Sequence, residues 1–123
     1  KVLPTEVPMK DAIFNIGRAS MLVAALTRGN ERYLRLGLDD ALHQPYRAEL
    51  IPGMYDVFKA ARRVGAAGAT LSGAGPCLIA YVLERRHAEE AVGKAMLEAF
   101  RKHDVEARIL TLDLDTHGAQ ILK

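Results

Sequence analysis

The stretch GATLSGAGPCLIAYV, from Gly68 to Val82, constrains the fold of this chain more than any other part of it. The segments ATLS and CLIAYVL read as two strands, the second apolar on both faces as a central strand would be. Between them stand Gly73, Ala74, Gly75 and Pro76. Glycine reaches positive φ without steric cost and proline fixes the exit, so the simplest reading is a tight turn. A simple turn needs one or two glycines, whereas Gly65, Gly68, Gly73 and Gly75 strip side chains from the whole approach. Bare backbone of that kind lets a ligand or a second backbone come close.

The turn is not a phosphate loop of the common kind. Such loops join a strand to a helix, so that backbone amides and the helix dipole both face the anion. Here the glycines lead into a strand, and no Lys-Ser/Thr pair follows. Both the Walker loop and the dinucleotide fingerprint are excluded on that ground.

Upstream, MKDAIFNIGRASMLVAALTRGN carries Ile13, Ile16, Ser20, Val23, Ala24 and Thr27 at helical spacing, with Pro8 in the first turn and Gly29 as C-terminal cap. Gly17 weakens a helix by about 1 kcal/mol against alanine, which predicts a close neighbour there. A second helix is expected over Glu31 to Leu38, continuing helically through DDALH to about His43 and breaking before Pro45. Met54, Val57, Phe58 and Ala61 predict a third, closed by Gly65. After the hairpin, RRHAEEAVGKAMLEAFRKH predicts a helix with Ala88, Ala91, Val92, Ala95, Met96 and Ala99 inward. VEARILTLDL reads as a third strand and GAQILK as a fourth. Helices followed by strands give an α+β class, with helices packed on one face of a small antiparallel sheet.

At 123 residues, half of them hydrophobic, the chain is sized for one domain spanning 1–123. Its formal net charge of +2 is spread among interspersed acids and bases, and aromatics are 6%. That pattern argues against nucleic acid as a partner. The apolar runs are too short for a membrane span. A lone cysteine, Cys77, in an apolar run fits a small buried residue and a reducing, cytoplasmic setting. The opening KVLPTEVP reads as the tail of a strand entering a turn, as in a segment of something longer.

GATLSGAGPCLIA resembles the third sequence motif of the GHMP kinases, the family of galactokinase and the homoserine, mevalonate and phosphomevalonate kinases. VLPTEVPMKDAIFNIGRASMLVAAL and DDALHQPYRAELIPGMYDVFKAA are similar to the C-terminal half of the homoserine kinase branch, and HQPYRAELIPG narrows it to that branch. The resemblance implies a ferredoxin-like GHMP C-terminal domain whose activity is ATP-dependent phosphorylation of the L-homoserine hydroxyl. It places ATP and Mg²⁺ mainly on an N-terminal domain, whose PxxxGLGSSxA phosphate loop has no match here, so this segment alone should be inactive. The glycine turn would then lie at the domain junction and need its neighbour. A second copy of the chain is a further candidate partner. Two other readings stand beside this one: another GHMP small-molecule kinase, and a free-standing ferredoxin-like module that binds an amino acid for regulation.

The same resemblance assigns Arg47 to the substrate carboxylate. The chemistry suits that role, since a guanidinium offers parallel N–H donors that lysine cannot reproduce. It assigns Gly73 to substrate contact through its backbone, with Ser72, Ala74 and Gly75 supporting the loop. Cys77 departs from the family's Ser or Thr, and a thiol donates more weakly than a hydroxyl. Asn15 and Arg18, three apart on the first helix, are candidates for interdomain or pocket contacts. Asp39, His43 and Arg47 follow at i, i+4, as a solvated helix face would. No His or Cys stands at metal-ligand spacing around them.

Overall fold

The computed structural model describes residues 2–121. Helix α1, Met9–Arg28, starts behind Pro8, whose carbonyl accepts from the N–H groups of Asp11 and Ala12. Gly29, at φ 62, closes it, and the next residue opens α2, Glu31–Gly37. There the Asn30 side chain accepts from Tyr33 N at 3.1 Å, satisfying a donor that the helix start leaves free. A Gly-Asn pair thus ends one helix and begins another.

The expected helical continuation to His43 does not occur. Residues 39–43 form a turn, and α3, Gln44–Arg47, begins after it with Pro45 in its first turn. The cause is Asp40, whose carboxylate takes the N–H groups of Leu42, His43 and Gln44. A short acidic side chain that captures local amides competes with the helix ladder. Pro45, lacking a donor, is suited to a first turn. A single 3₁₀ turn, Ala48–Leu50, follows, then α4, Met54–Arg63, beyond Gly53 at φ 78.

Strands β1, Gly68–Leu71, and β2, Leu78–Tyr81, pair antiparallel in the register Gly68↔Tyr81 to Leu71↔Leu78. Helix α5, Glu89–Arg101, closes the regular structure. The main core joins Met54, Val57, Phe58 and Ala61 of α4, Ala69 and Leu71 of β1, and Val92, Ala99 and Phe100 of α5. A second cluster, Ala25, Leu34, Leu38 and Ala67, fastens α1 and α2 to the hairpin. Burying large apolar side chains of this kind stabilises by about 1.5–3 kcal/mol each. On α5, Ala91 is exposed rather than inward, and Phe100 takes the buried place at the helix end.

Two further expectations are corrected, the third and fourth strands and the close neighbour at Gly17. Among the described residues the sheet has two strands, and neither 105–114 nor 118–121 is one of them. Instead 105–114 passes along α5, where Ile109 fills the space above Gly93: a Cβ at Gly93 would lie 2.7 Å from Ile109 Cδ1. The end of the expected fourth strand, 122–123, lies outside the described residues. On α1, Ile13, Ile16 and Val23 are 62–68% exposed, so the apolar stripe turns away from the domain, while Leu22 and Ala25 face α2. A methyl group at Gly17 would meet nothing within 4 Å, so no neighbour in this domain approaches it closely.

Candidate functional site

The glycine loop and α3 meet. Ser72 N–H donates to Cys77 O at 2.8 Å and Gly75 N–H to Ser72 O at 3.1 Å, tightening the loop between β1 and β2. Gly75, at φ 81, is held from below, because a Cβ there would lie 2.9 Å from Leu71 Cδ1 and 3.1 Å from Ile51 Cδ1. Gly73, at φ 56, faces open space. Both conformations favour glycine, and only the first also needs its small size. Cys77 is exposed, contrary to a buried apolar role, with Sγ 3.8 Å from Leu78 O.

Arg47 reaches across to this loop. Its Nη1 donates to Ala74 O at 2.8 Å and its Nε to His43 Nε2 at 3.0 Å. The side chain is half-buried. Among the described residues, Nη2 carries no hydrogen bond, so two charged N–H groups stay available on a guanidinium already bonded to the glycine loop at Ala74. Such an arrangement can hold an anion with two oxygens.

What places α3 here is Gln44, which lies in the HQPYRAELIPG stretch but is given no role by it. Among the described residues it is the buried polar side chain, 6% exposed. Its Nε2 donates to Leu38 O at 3.1 Å and its Oε1 accepts from Leu71 N at 3.2 Å. One side chain therefore fixes α3 between the end of α2 and the end of β1. A glutamine directly before Pro45, in a stretch otherwise readable as solvated, is the only signal the sequence offers.

Asn15 enters the same structure at one remove. Its Nδ2 donates to Asp40 Oδ1 at 2.6 Å, and its Oδ1 accepts from Ala41 N at 2.7 Å. Burial works to raise the Asp40 carboxyl. The Asn15 amide and the backbone N–H groups of Gln44, His43 and Leu42 outweigh it and hold the carboxyl below its ordinary range. Asn15 thus steadies the 39–43 turn, which steadies α3. Arg18 is not joined to this network: its guanidinium lies 4.4 Å from the Phe14 ring centroid, a cation–π contact within α1.

Two concavities lie elsewhere, one of about 420 Å³ beside α5 and Ile109, the other of about 210 Å³ between Ile51, Gly53 and His103. Neither is lined by Arg47 or Gly73. The Arg47–loop pair is an open ledge, with Ser72, Gly73 and Ala74 exposed.

Residues 21–102 match the family profile described as GHMP kinases C terminal. The chain is 43% identical over 119 residues to a homoserine kinase of Carboxydothermus hydrogenoformans, covering 97% of this chain and 38% of that protein. It is 47% identical over 119 residues to one of Trichormus variabilis, covering 97% and 39% respectively. A crystal structure of homoserine kinase from Cytophaga hutchinsonii superposes with a TM-score of 0.73 at 31% identity, over 82% of this chain and 32% of that one. The chain spans about two fifths of the length of the curated relatives it matches.

Proposed function

The chain belongs to the GHMP kinases, matching their C-terminal domain, and from that premise we propose that it is the acceptor-binding part of a homoserine kinase. The full-length enzyme would move the γ-phosphoryl group of ATP to the side-chain hydroxyl of L-homoserine. The observation that carries this reading is the Arg47 guanidinium docked on the carbonyl of Ala74, the residue after Gly73, with no hydrogen bond on Nη2 among the described residues.

On this reading Arg47 holds the α-carboxylate of homoserine, and the backbone at Gly73 lies against the same substrate. Ser72, Ala74 and Gly75 keep the loop in shape. Asn15 acts through Asp40 on the turn that carries α3, and Arg18 is left to a contact between domains. The work of this part is positioning, which is most of what a phosphoryl-transfer enzyme contributes.

The residues described here do not fit ATP or Mg²⁺. The loop joins two strands and so lacks a helix N-terminus, and no group of three or more His, Cys, Asp and Glu could hold a metal ion among the described residues. Both are assigned to an N-terminal domain of the same protein. That domain would turn the open ledge into a pocket and cover the apolar stripe of Ile13, Ile16 and Val23, with a second copy as the other candidate for that stripe. No helix described is long and apolar enough to cross a membrane; a cytoplasmic setting is part of this reading.

Phosphorylation by the full-length protein tests the reading. With ATP and Mg²⁺ it should form O-phosphohomoserine, and 3-aminopropan-1-ol, which lacks the carboxylate, should react with kcat/KM at least about tenfold lower. Equal turnover of the two alcohols would remove the basis for the assignment.

A further inference from the structure

We propose that His43 is a positioning residue that selects which edge of the Arg47 guanidinium meets the substrate. The inference rests on the reading of Arg47 as the carboxylate-holding residue. His43 stands four residues before Arg47, at the entry to α3, with its backbone N–H donated to Asp40 Oδ2 at 2.8 Å. Its ring Nε2 lies 3.0 Å from Arg47 Nε. In the bare sequence the pair looks like ordinary i, i+4 neighbours on a wet helix face. The geometry gives them a defined relationship.

An arginine Nε–H can only donate, so His43 Nε2 must carry a lone pair, and the proton of the neutral ring sits on Nδ1. A guanidinium can grip a carboxylate in two ways, side-on through Nε and Nη2 or end-on through Nη1 and Nη2. His43 occupies Nε and closes the side-on edge. Ala74 O takes one N–H of Nη1. Three N–H groups remain, one on Nη1 and two on Nη2, so a two-pronged grip is end-on, with Ala74 O on the Nη1 proton that faces Cδ. The two contacts lock the plane as well as the edge: one comes from the entry to α3 and the other from the β1–β2 loop. Without His43 the long arginine side chain regains a rotation about its end, and ordering it on binding costs affinity.

The test uses the full-length enzyme and four proteins: wild type, His43→Phe, His43→Gln and Arg47→Ala. His43→Phe keeps a planar ring and removes the acceptor. Homoserine KM should rise about three- to tenfold, the size of one hydrogen bond, with kcat within about twofold and ATP KM unchanged. Glutamine places Oε1 where Nε2 stood, so His43→Gln should return homoserine KM to within about twofold of wild type. A separate readout is the ¹⁵N spectrum of the His43 ring at about pH 8, which should show Nδ1 protonated and Nε2 bare. If Arg47→Ala raises homoserine KM while His43→Phe leaves it unchanged, His43 has no positioning role and the Arg47 reading stands. If Arg47→Ala also leaves KM unchanged, the Arg47 reading falls and this inference with it. Should His43→Phe fail to fold, the ring spectrum decides, and a proton on Nε2 overturns the proposal.

Discussion

The Gln44 side chain accepts the Leu71 N–H at 3.2 Å, and through that bond the helix bearing Arg47 is tied to the strand that leads into the glycine loop. Leu71 is 7% exposed, so its amide has little access to water as a substitute. Replacing Gln44 by leucine keeps the volume and leaves that donor and the Leu38 carbonyl unpaired. The expected loss is about 1–3 kcal/mol, most of it from the unsatisfied amide. Urea unfolding of the two proteins measures it, and a loss below about 0.5 kcal/mol would mean the bond contributes little.

Gly53 and His103 form a second junction. Gly53 has φ 78, and a side chain there would run into the His103 imidazole, which is itself hydrogen-bonded to Asp56 Oδ2 at 3.0 Å. Gly53→Ala therefore meets both a strained backbone and an occupied space, for a cost of at least about 2 kcal/mol. In a His103→Ala background the steric part disappears, and the same substitution should cost about 1 kcal/mol less. Identical costs in both backgrounds would show that the ring is not the obstacle.

Asp40 ties stability to pH. Its folded carboxyl lies below the unfolded value near 3.8, so its contribution is present in full above that value and is lost as pH falls through the folded one. At neutral pH, Asp40→Asn should lower the unfolding free energy by about 1 kcal/mol, the size of a lost capping interaction. Between about pH 5 and pH 2 the gap between wild type and variant should narrow. A gap that stays constant across that range would assign the effect to shape rather than charge.

How much of this was legible in the sequence varies by element, for physical reasons. Local signals carried: Gly29 and Asn30 end and begin helices through their own backbone and side chain, and the glycine turn forms the expected hairpin. What a stripe packs against is not local. Ile13, Ile16 and Val23 have helical spacing whether they face this domain or another surface, and here they face outward. Leu110, Leu112 and Leu114 alternate as a strand should, yet strand pairing needs an edge to meet, and all three remain exposed. At the site, Arg47 and the loop could be named from their motifs. Gln44, Asp40 and His43 could not, because their roles depend on partners such as Leu71 and Asn15 that lie more than twenty residues away or on an atom-level choice of donor.

The homoserine KM of Arg47→Ala and Arg47→Lys in the full-length enzyme tests the role of Arg47 most directly. Arg47→Ala removes a charge-assisted contact, so homoserine KM should rise at least about tenfold while the KM for ATP stays nearly unchanged. Arg47→Lys should recover only part of the loss, because a point charge cannot reproduce a two-pronged grip. An unchanged homoserine KM, or an equal rise for ATP, would contradict that role and leave Arg47 as a residue that merely braces the loop.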